Sequence, residues 1–449
     1  MGINKIIKAV LNRVSLFRKV TNYLSVRKFD ELATWYERNE NKWPDIQNNL
    51  LYELLLYAKT HSSYYKELIT EPVTLSNCID VLKSLPLLSK VIIKQQSERI
   101  YSDEVIVNNI SWANTGGSTG EPLRFPRFEK GYSKEHICQM MLYHSMGFNS
   151  VKDLIITIDG SRIIQSDVEK CIYWKENSSN FPYGLYSLST VHMSDLTLPY
   201  YIQFLNIKKP SIMRGYPSGF TELANFCKQN KIVWNFQLKG IYLTSENYGY
   251  QEEQLIHDVF KCPVWGQYGH TEASVFAVRK PGSYSYVTNP IYGYTEVLDE
   301  TGHHVNKGQV GEIVVTGFNH LGVPFIRYKT GDLAEYGDTL VNGSVVLNEL
   351  LGRSVDFVIN SQNERIFLVG FIFGGHIKAF NHIRQWQLEQ YEKGCVIMKI
   401  LKGEGYNATI EKELIDLFKS KKLSVVINYT GGFEKTQRGK FKFLIQHIN

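Results

Sequence analysis

The run Thr115-Gly116-Gly117-Ser118-Thr119-Gly120-Glu121-Pro122 packs three glycines and three hydroxyls into eight residues. Glycine admits positive φ and lets backbone N–H groups approach phosphate oxygens, while Ser and Thr add donors without counter-charge. The run lacks the Gly-Lys-Ser/Thr ending of a Walker loop and the spacing of a dinucleotide fingerprint. Alone it reads equally as a surface loop closed by Pro122. Further on, Tyr268-Gly269-His270-Thr271-Glu272 follows the apolar stretch Pro263-Val264-Trp265-Gly266. Its ring can stack on a base, Thr271 can donate to a phosphate and Glu272 is a hard oxygen ligand for Mg²⁺. His270 reads as a packed histidine or a catalyst. In Tyr328-Lys329-Thr330-Gly331-Asp332 a carboxylate follows a glycine turn, where it can accept both hydroxyls of a ribose or merely sit in a hairpin. Gly352-Arg353 and Asp356 come next, then Lys440 within Arg438-Gly439-Lys440, a lysine with a role only if its domain moves.

These residues need elements to hold them. Residues 30–100 carry helical periodicity (Leu50, Leu51, Leu54, Leu55) ending at Leu85-Pro86-Leu87-Leu88. From 130 to 260 strands alternate with helices: Leu154–Ile158 and Ile241–Thr244 read as strands and Ser218–Gln229 as a helix, which favours an α/β core. Between 284 and 345 the helices vanish, and Tyr294–Leu298, Gly311–Thr316 and Val341–Leu347 read as strands of a small barrel or curved sheet. After Arg353 a hairpin around Asn360–Asn363, a helix over Ile410–Lys419 and a strand over Leu423–Tyr429 suggest a separate α+β domain. The expected division is 1–29, 30–352, a hinge at 353–356, and 357–449.

With 43% hydrophobic and 21% charged residues in 449, the chain has the composition of a soluble globular protein of two or three domains. No apolar run reaches the length of a membrane span and no cleavable leader is evident, so a cytoplasmic location is expected. Six scattered cysteines without a CxxC pair speak for reduced thiols. The net charge of +6 resides in the first 29 residues, which hold seven basic residues and no acid. Ile3, Ile6, Ile7, Val10, Val14 and Phe17 recur there at helical spacing. The segment reads either as a helix docked with a solvated basic side or as a weak anchor to anionic lipid at the inner membrane surface. No basic stripe elsewhere points to nucleic acid.

In order and spacing these pieces resemble the AMP-forming adenylate superfamily of acyl-CoA ligases, and within it the phenylacetate-CoA ligase and CapK-like capsule polysaccharide branch. TGGSTGEP is similar to the family's phosphate loop, RGYPSGF (Arg214 to Phe220) to its substrate-side segment and YGHTE to its adenine and magnesium motif. GEIVVT and YKTGD are similar to the next two, GRSVD to the hinge, IRQWQLEQ (Ile383 to Gln390) to a lid strand and TQRGK to the end of the lid. The resemblance implies an α/β fold with a mobile α+β lid and a reaction of ATP with a carboxylic acid, giving an acyl-adenylate and pyrophosphate. It implies catalytic roles for Lys440, Thr271 and Glu272, the last also holding Mg²⁺. Thr115, Gly116, Gly117, Ser118, Thr119, Gly120, Glu246, Tyr268, Gly269, Asp332 and Arg353 would bind ATP. Tyr216, His270 and His192 would face the acid, a small-molecule or sugar-linked carboxylate.

The sequence departs from the pattern at three points. Val355 stands where many relatives carry a charged hinge residue, and Ser245-Glu246-Asn247 matches the glycine-rich adenine loop only in its acid. Asn363-Glu364 replaces the usual Asp-Gly beside the pantetheine path, which weakens CoA as the acceptor. Transfer to an amine in surface polysaccharide assembly, alongside other enzymes of that process, is therefore the favoured expectation, with CoA thiol as the alternative acceptor. A non-catalytic nucleotide-binding scaffold is the reading from another class.

Overall fold

The computed structural model describes residues 26–106, 110–115, 123–128, 133–353, 357–368, 371–372, 378–403, 405–430, 432–434 and 441–448. Its centre is a twelve-stranded sheet in the order β11-β12-β13-β14-β10-β9-β8-β7-β6-β3-β5-β4. The strands are β3 (Ile155–Asp159), β4 (Trp174–Glu176), β5 (Tyr186–Ser189), β6 (Ile212–Gly215), β7 (Gly240–Thr244), β8 (Val264–Gly269), β9 (Phe276–Arg279), β10 (Tyr286–Thr288), β11 (Gly293–Leu298), β12 (Val310–Gly317), β13 (Tyr328–Thr339) and β14 (Val345–Arg353). Strands β5, β3, β6, β7 and β8 run parallel, and the remaining pairings are antiparallel.

The longer helices are α1 (26–38), α2 (Trp43–His61), α3 (Ser133–Ser145), α4 (Leu198–Lys208), α5 (Pro217–Gln229), α6 (Tyr250–Phe260) and α7 (Ala408–Ser420). Both faces of the parallel strands are covered, which is why β3 and β7 read as unbroken apolar runs. One cluster joins Ile156, Met213 and Leu243 to α4, α5 and α6. The other joins Ile155, Ile212 and Tyr242 to Tyr143 of α3. A third cluster packs α2 and the segment after it against the antiparallel half. Arg327 fastens that packing: it pairs with Glu296 at 3.1 Å and donates to the carbonyls of Lys83 and Leu85.

Strands β15 (Phe357–Ile359) and β16 (Arg365–Phe367) form the expected hairpin. They precede a four-stranded sheet, β19-β18-β17-β20, built from β17 (Ile383–Glu392), β18 (Cys395–Lys402), β19 (Ser424–Tyr429) and β20 (Leu444–Gln446). Helix α7 packs Leu414 and Phe418 into its own core cluster.

Several expectations change. The strands assigned to a small barrel-like sheet are continuous, through β10 and β9, with the parallel strands. Val341 is a fully exposed turn residue and the strand begins at Val345. Helix α1 crosses the expected boundary at 29/30: Val26, Phe29 and Leu32 pack beside α3, and Asp30 and Glu37 both bind His144. Residues 1–25, with most of the basic helix, lie outside the described residues. No described helix is long and apolar enough to cross a membrane.

Candidate active site

The parallel strands deliver their C-terminal ends to one edge of the sheet, where open α/β sheets gather ligands. Tyr216 leaves β6, Ser245 and Glu246 leave β7, and His270 to Glu272 leave β8. Gly215 makes the β6 exit possible. Its φ is +135° and an added Cβ would lie 1.9 Å from the carbonyl oxygen of Ile158. Only glycine fits, and Tyr216 follows as the N-cap of α5, its N–H bonded to that same carbonyl.

The glycine run joins two strands. β1 (Ile110–Asn114) and β2 (Arg124–Phe128) are antiparallel, with Asn114 opposite Arg124. Buried Thr115 closes the loop's base: its N–H donates to the Leu123 carbonyl and its hydroxyl accepts from the Leu123 N–H, both at 2.9 Å. Gly116, Gly117, Ser118, Thr119 and Gly120 lie outside the described residues. The hairpin packs on the next segment, with Phe125 5.6 Å from His320. Burial drives the His320 pKa down to about 3, and the nearby Arg127 charge adds to the effect.

Two tyrosine–carboxylate bonds tie the YGHTE and YKTGD segments together. The Tyr268 hydroxyl donates to Asp332 at 2.8 Å and the Tyr328 hydroxyl donates to Glu272 at 2.7 Å. Glu272 is 4% exposed, and His270 Nδ1 lies 3.2 Å from its second oxygen, at ion-pair distance without hydrogen-bond alignment. Burial alone would raise this carboxyl group, yet His270 and Tyr328 hold it at about 2. Glu272 is therefore a carboxylate at neutral pH.

YKTGD is a bulge within one long strand, not the turn its glycine suggests. The β12–β13 register jumps between Glu312 opposite Leu333 and Val314 opposite Lys329. Gly331 sits in the slack at φ +79° and donates to Glu312 at 3.2 Å. The Thr330 hydroxyl bonds the Ile313 carbonyl and accepts the Asp332 N–H. Bulges re-aim side chains, and this one turns Asp332 towards Tyr268. Across the other edge of β13, Asp332 pairs in register with Arg353.

Glu246, expected at the adenine, has a different set of partners. One oxygen accepts the Ser218 N–H in the first turn of α5 at 3.0 Å, and the other accepts the Phe441 N–H at 2.8 Å. It joins the large sheet to the C-terminal unit at the residue after Lys440, which itself lies outside the described residues. His192 follows the C-terminal end of β5, half-buried in a short 3₁₀ turn, its ring 5.9 Å from that of Tyr173.

Two features emerge only from the tertiary structure, although one of them includes Arg214 of the RGYPSGF segment. One is a cleft of about 1090 Å³ between α5, α6 and the C-terminal unit, lined among others by Thr221, Asp258, Trp386 and Phe441. At its mouth Arg384 of β17 pairs with Asp195 at 2.7 Å. The other is Arg214 on β6, whose guanidinium lies 4.9 Å from the ring centres of both Tyr183 and Tyr242.

Mg²⁺ has a suitable first ligand in Glu272. Among the described residues no group of three or more His, Cys, Asp or Glu side chains gathers around a metal site. A lone ionised carboxylate suits Mg²⁺, which keeps water and takes phosphate oxygens for most of its shell.

This architecture is the fold of adenylate-forming ligases. 2-Hydroxyisobutyryl-CoA ligase in the postadenylation state with R3-HIB-AMP superposes with a TM-score of 0.67 at 16% identity, over 89% of this chain and 88% of that one. AtGH3.15 acyl acid amido synthetase with 2,4-DB gives 0.64 at 13% identity, over 93% and 94%. An open conformation of the CoA ligase, with 2-HIB-AMP and CoA, gives 0.52. In sequence the chain is similar to protein CapK of Staphylococcus aureus, 26% identical over 328 residues, 70% of this chain and 68% of that one. No protein-family model matches the chain. The resemblance drawn from the motifs is borne out on both counts.

Proposed function

We propose that the protein condenses a carboxylic acid with ATP to an acyl-adenylate, releasing pyrophosphate, and passes the acyl group to an amine in surface polysaccharide assembly. The observation that carries the first half is the Tyr268–Asp332 bond, which unites a β8 exit with a β13 bulge 64 residues away beside Glu272. In this reading the acid's carboxylate oxygen attacks the α-phosphorus of ATP, the bond to the β-phosphate oxygen breaks and pyrophosphate leaves.

Asp332 binds the ribose hydroxyls, and Arg353, its neighbour across the strands, assists. Thr271 and the hydroxyls of the glycine loop donate to phosphate oxygens, where preorganised donors matter most as charge develops. Lys440 meets the same charge from the C-terminal unit. Mg²⁺ on Glu272 would supply charge neutralisation at the phosphates. Glu246 holds the C-terminal unit in place for this step.

The amine acceptor is supported by the departure at Asn363-Glu364 and by the likeness to an acyl acid amido synthetase. The polysaccharide setting rests on the similarity to protein CapK. CoA is the second reading, supported by the CoA-bound relative of the same fold. The test is pyrophosphate release from Mg-ATP with aryl acids, amino acids, uronic acids and nucleotide-linked uronates, each with CoA, with amines and with no acceptor. Acid-dependent release that amine accelerates, with amide as product, is expected. Release that requires CoA would overturn the amide half, and silence with every acid would overturn adenylation.

A further inference from the structure

Among the described residues Arg214 is a cation without an anion. Its guanidinium carbon lies over the Tyr183 and Tyr242 rings, 4.9 Å from the centre of each. Contact with two ring faces holds a guanidinium in place, and its N–H groups are the part that forks onto carboxylate or phosphate. No described carboxylate pairs with Arg214, and its buried Nε has no hydrogen-bond partner. The acid within its field, Glu135, is already engaged: it accepts from the Tyr292 hydroxyl and, at 3.2 Å, from Gln139. The Tyr242 ring is fixed in turn. Tyr242 donates to Gln139 at 2.9 Å, and neighbouring Tyr143 donates to the Pro182 carbonyl at 2.6 Å. A desolvated donor left unpaired is costly, and an anionic ligand would relieve that cost. The arginine keeps partial exposure and Tyr183 is 45% exposed, so the site is reachable.

Its depth in the sheet tells which anion. Arg214 pairs in register with Tyr242, and Tyr242 with Trp265. Trp265 lies four residues before Gly269, about 13 Å at the usual rise of a strand. The reacting carboxylate must meet ATP beyond Gly269, beside Thr271 and Glu272. Ala273, which follows Glu272, packs in the same cluster as Tyr242, so floor and reacting edge share one face of the sheet. An acid lying down that face places its far end at Arg214.

We infer that Arg214 binds a second anionic group at the far end of the substrate, so that the acid activated here carries a distal carboxylate or phosphate. The inference rests on the adenylation reading for what happens at the near end, and stands independently as an anion site.

Two measurements test it on the full chain. Pyrophosphate release is followed with adipate and with glucuronic acid 1-phosphate, against hexanoate and monomethyl adipate, for the wild type, Arg214→Gln and Arg214→Lys. The doubly anionic acids should have the lower KM in the wild type. Arg214→Gln should raise it about 10- to 100-fold with kcat and the KM for ATP little changed, as loss of one charge-assisted bond requires. Arg214→Lys should fall between, retaining charge without the fork. Calorimetric titration of adipate and of inorganic phosphate without ATP should show saturable binding that Arg214→Gln abolishes, and the tighter of the two identifies the distal group.

Equal handling of single and double anions by the wild type and Arg214→Gln would overturn the site, as would absence of saturable binding to the wild type. Titration that depends on Arg214, with no pyrophosphate from any acid, would uphold the site while sinking adenylation. Unchanged melting temperatures in both variants would exclude misfolding as the cause.

Discussion

Glu246 accepts the backbone N–H of Phe441 at 2.8 Å, so the residue after Lys440 is held at the exit of β7. The other oxygen of Glu246 accepts from Ser218 at the start of α5. One carboxylate therefore caps a helix of the large sheet and anchors the C-terminal unit. Lys440→Ala should lower acid-dependent pyrophosphate release about 10² to 10³-fold while leaving ATP binding nearly intact, since a charge that acts on the transition state contributes little to the ground state. Single-turnover rates together with nucleotide titration decide it. A wild-type rate would remove Lys440 from the chemistry.

Tyr268→Phe keeps the ring and removes only the hydroxyl that holds Asp332. If Asp332 grips the ribose, freeing it should raise the KM for ATP about 3- to 10-fold, the worth of one positioning bond, and Asp332→Ala should raise it further. The double variant should match Asp332→Ala alone, because Tyr268 acts through that carboxylate. Additive losses would show that the tyrosine contacts the nucleotide by itself.

Glu272 makes an acid-side prediction with a definite sign. Its folded pKa of about 2 lies below the ordinary value of 4.5, so the folded state favours the carboxylate. That stabilisation is complete above about 4.5 and disappears as pH falls towards 2. The melting temperature of the wild type relative to Glu272→Gln should therefore decline steadily across that window. Parallel melting curves from pH 6 to 3 would show that His270 and Tyr328 do not hold the charge.

His144 works in the opposite direction. Its ring nitrogens contact Glu37 at 3.0 Å and Asp30 at 2.8 Å. The hydrogen bond to Glu37 raises its pKa most, burial works against it, and Asp30 adds to the rise. A raised folded pKa stabilises fully below about 6.5 and is lost as pH climbs through the folded value. The gap in melting temperature between the wild type and His144→Gln should be wide at pH 6 and narrow at pH 9. A gap that does not change with pH would assign His144 a packing role only.

The legible parts of the molecule are those whose physics is local. β3 and β7 show as apolar runs because both of their faces are covered. The loop closed by Thr115 shows because three glycines and three hydroxyl residues in eight positions stand out from any core-forming stretch. Val341 misled because a β-branched residue in an apolar stretch resembles a strand even when it is a fully exposed turn. Gly331 misled because a bulge and a turn both demand positive φ, and only the pairing of β12 with β13 distinguishes them. Glu246 and Arg214 depend on partners far along the chain, Phe441 for one and Tyr183 with Tyr242 for the other. Their short neighbourhoods contain no trace of those contacts.

Arg384 of β17 pairs with Asp195 at 2.7 Å, the arginine largely covered and the aspartate 62% exposed. So exposed a pair is worth at most about 1 kcal/mol, too little to hold the C-terminal unit but enough to bias its position. Asp195→Arg should therefore slow adenylation a few-fold by repelling Arg384, and combining it with Arg384→Asp should restore most of the rate. If the C-terminal unit is released for acyl transfer, as the resemblance to a mobile lid implies, transfer from preformed acyl-adenylate should not slow in the single variant. Single-turnover measurement of each half-reaction separates the outcomes: equal slowing of both halves, or no rescue by the swapped pair, would mean that Asp195 and Arg384 meet without steering the domain.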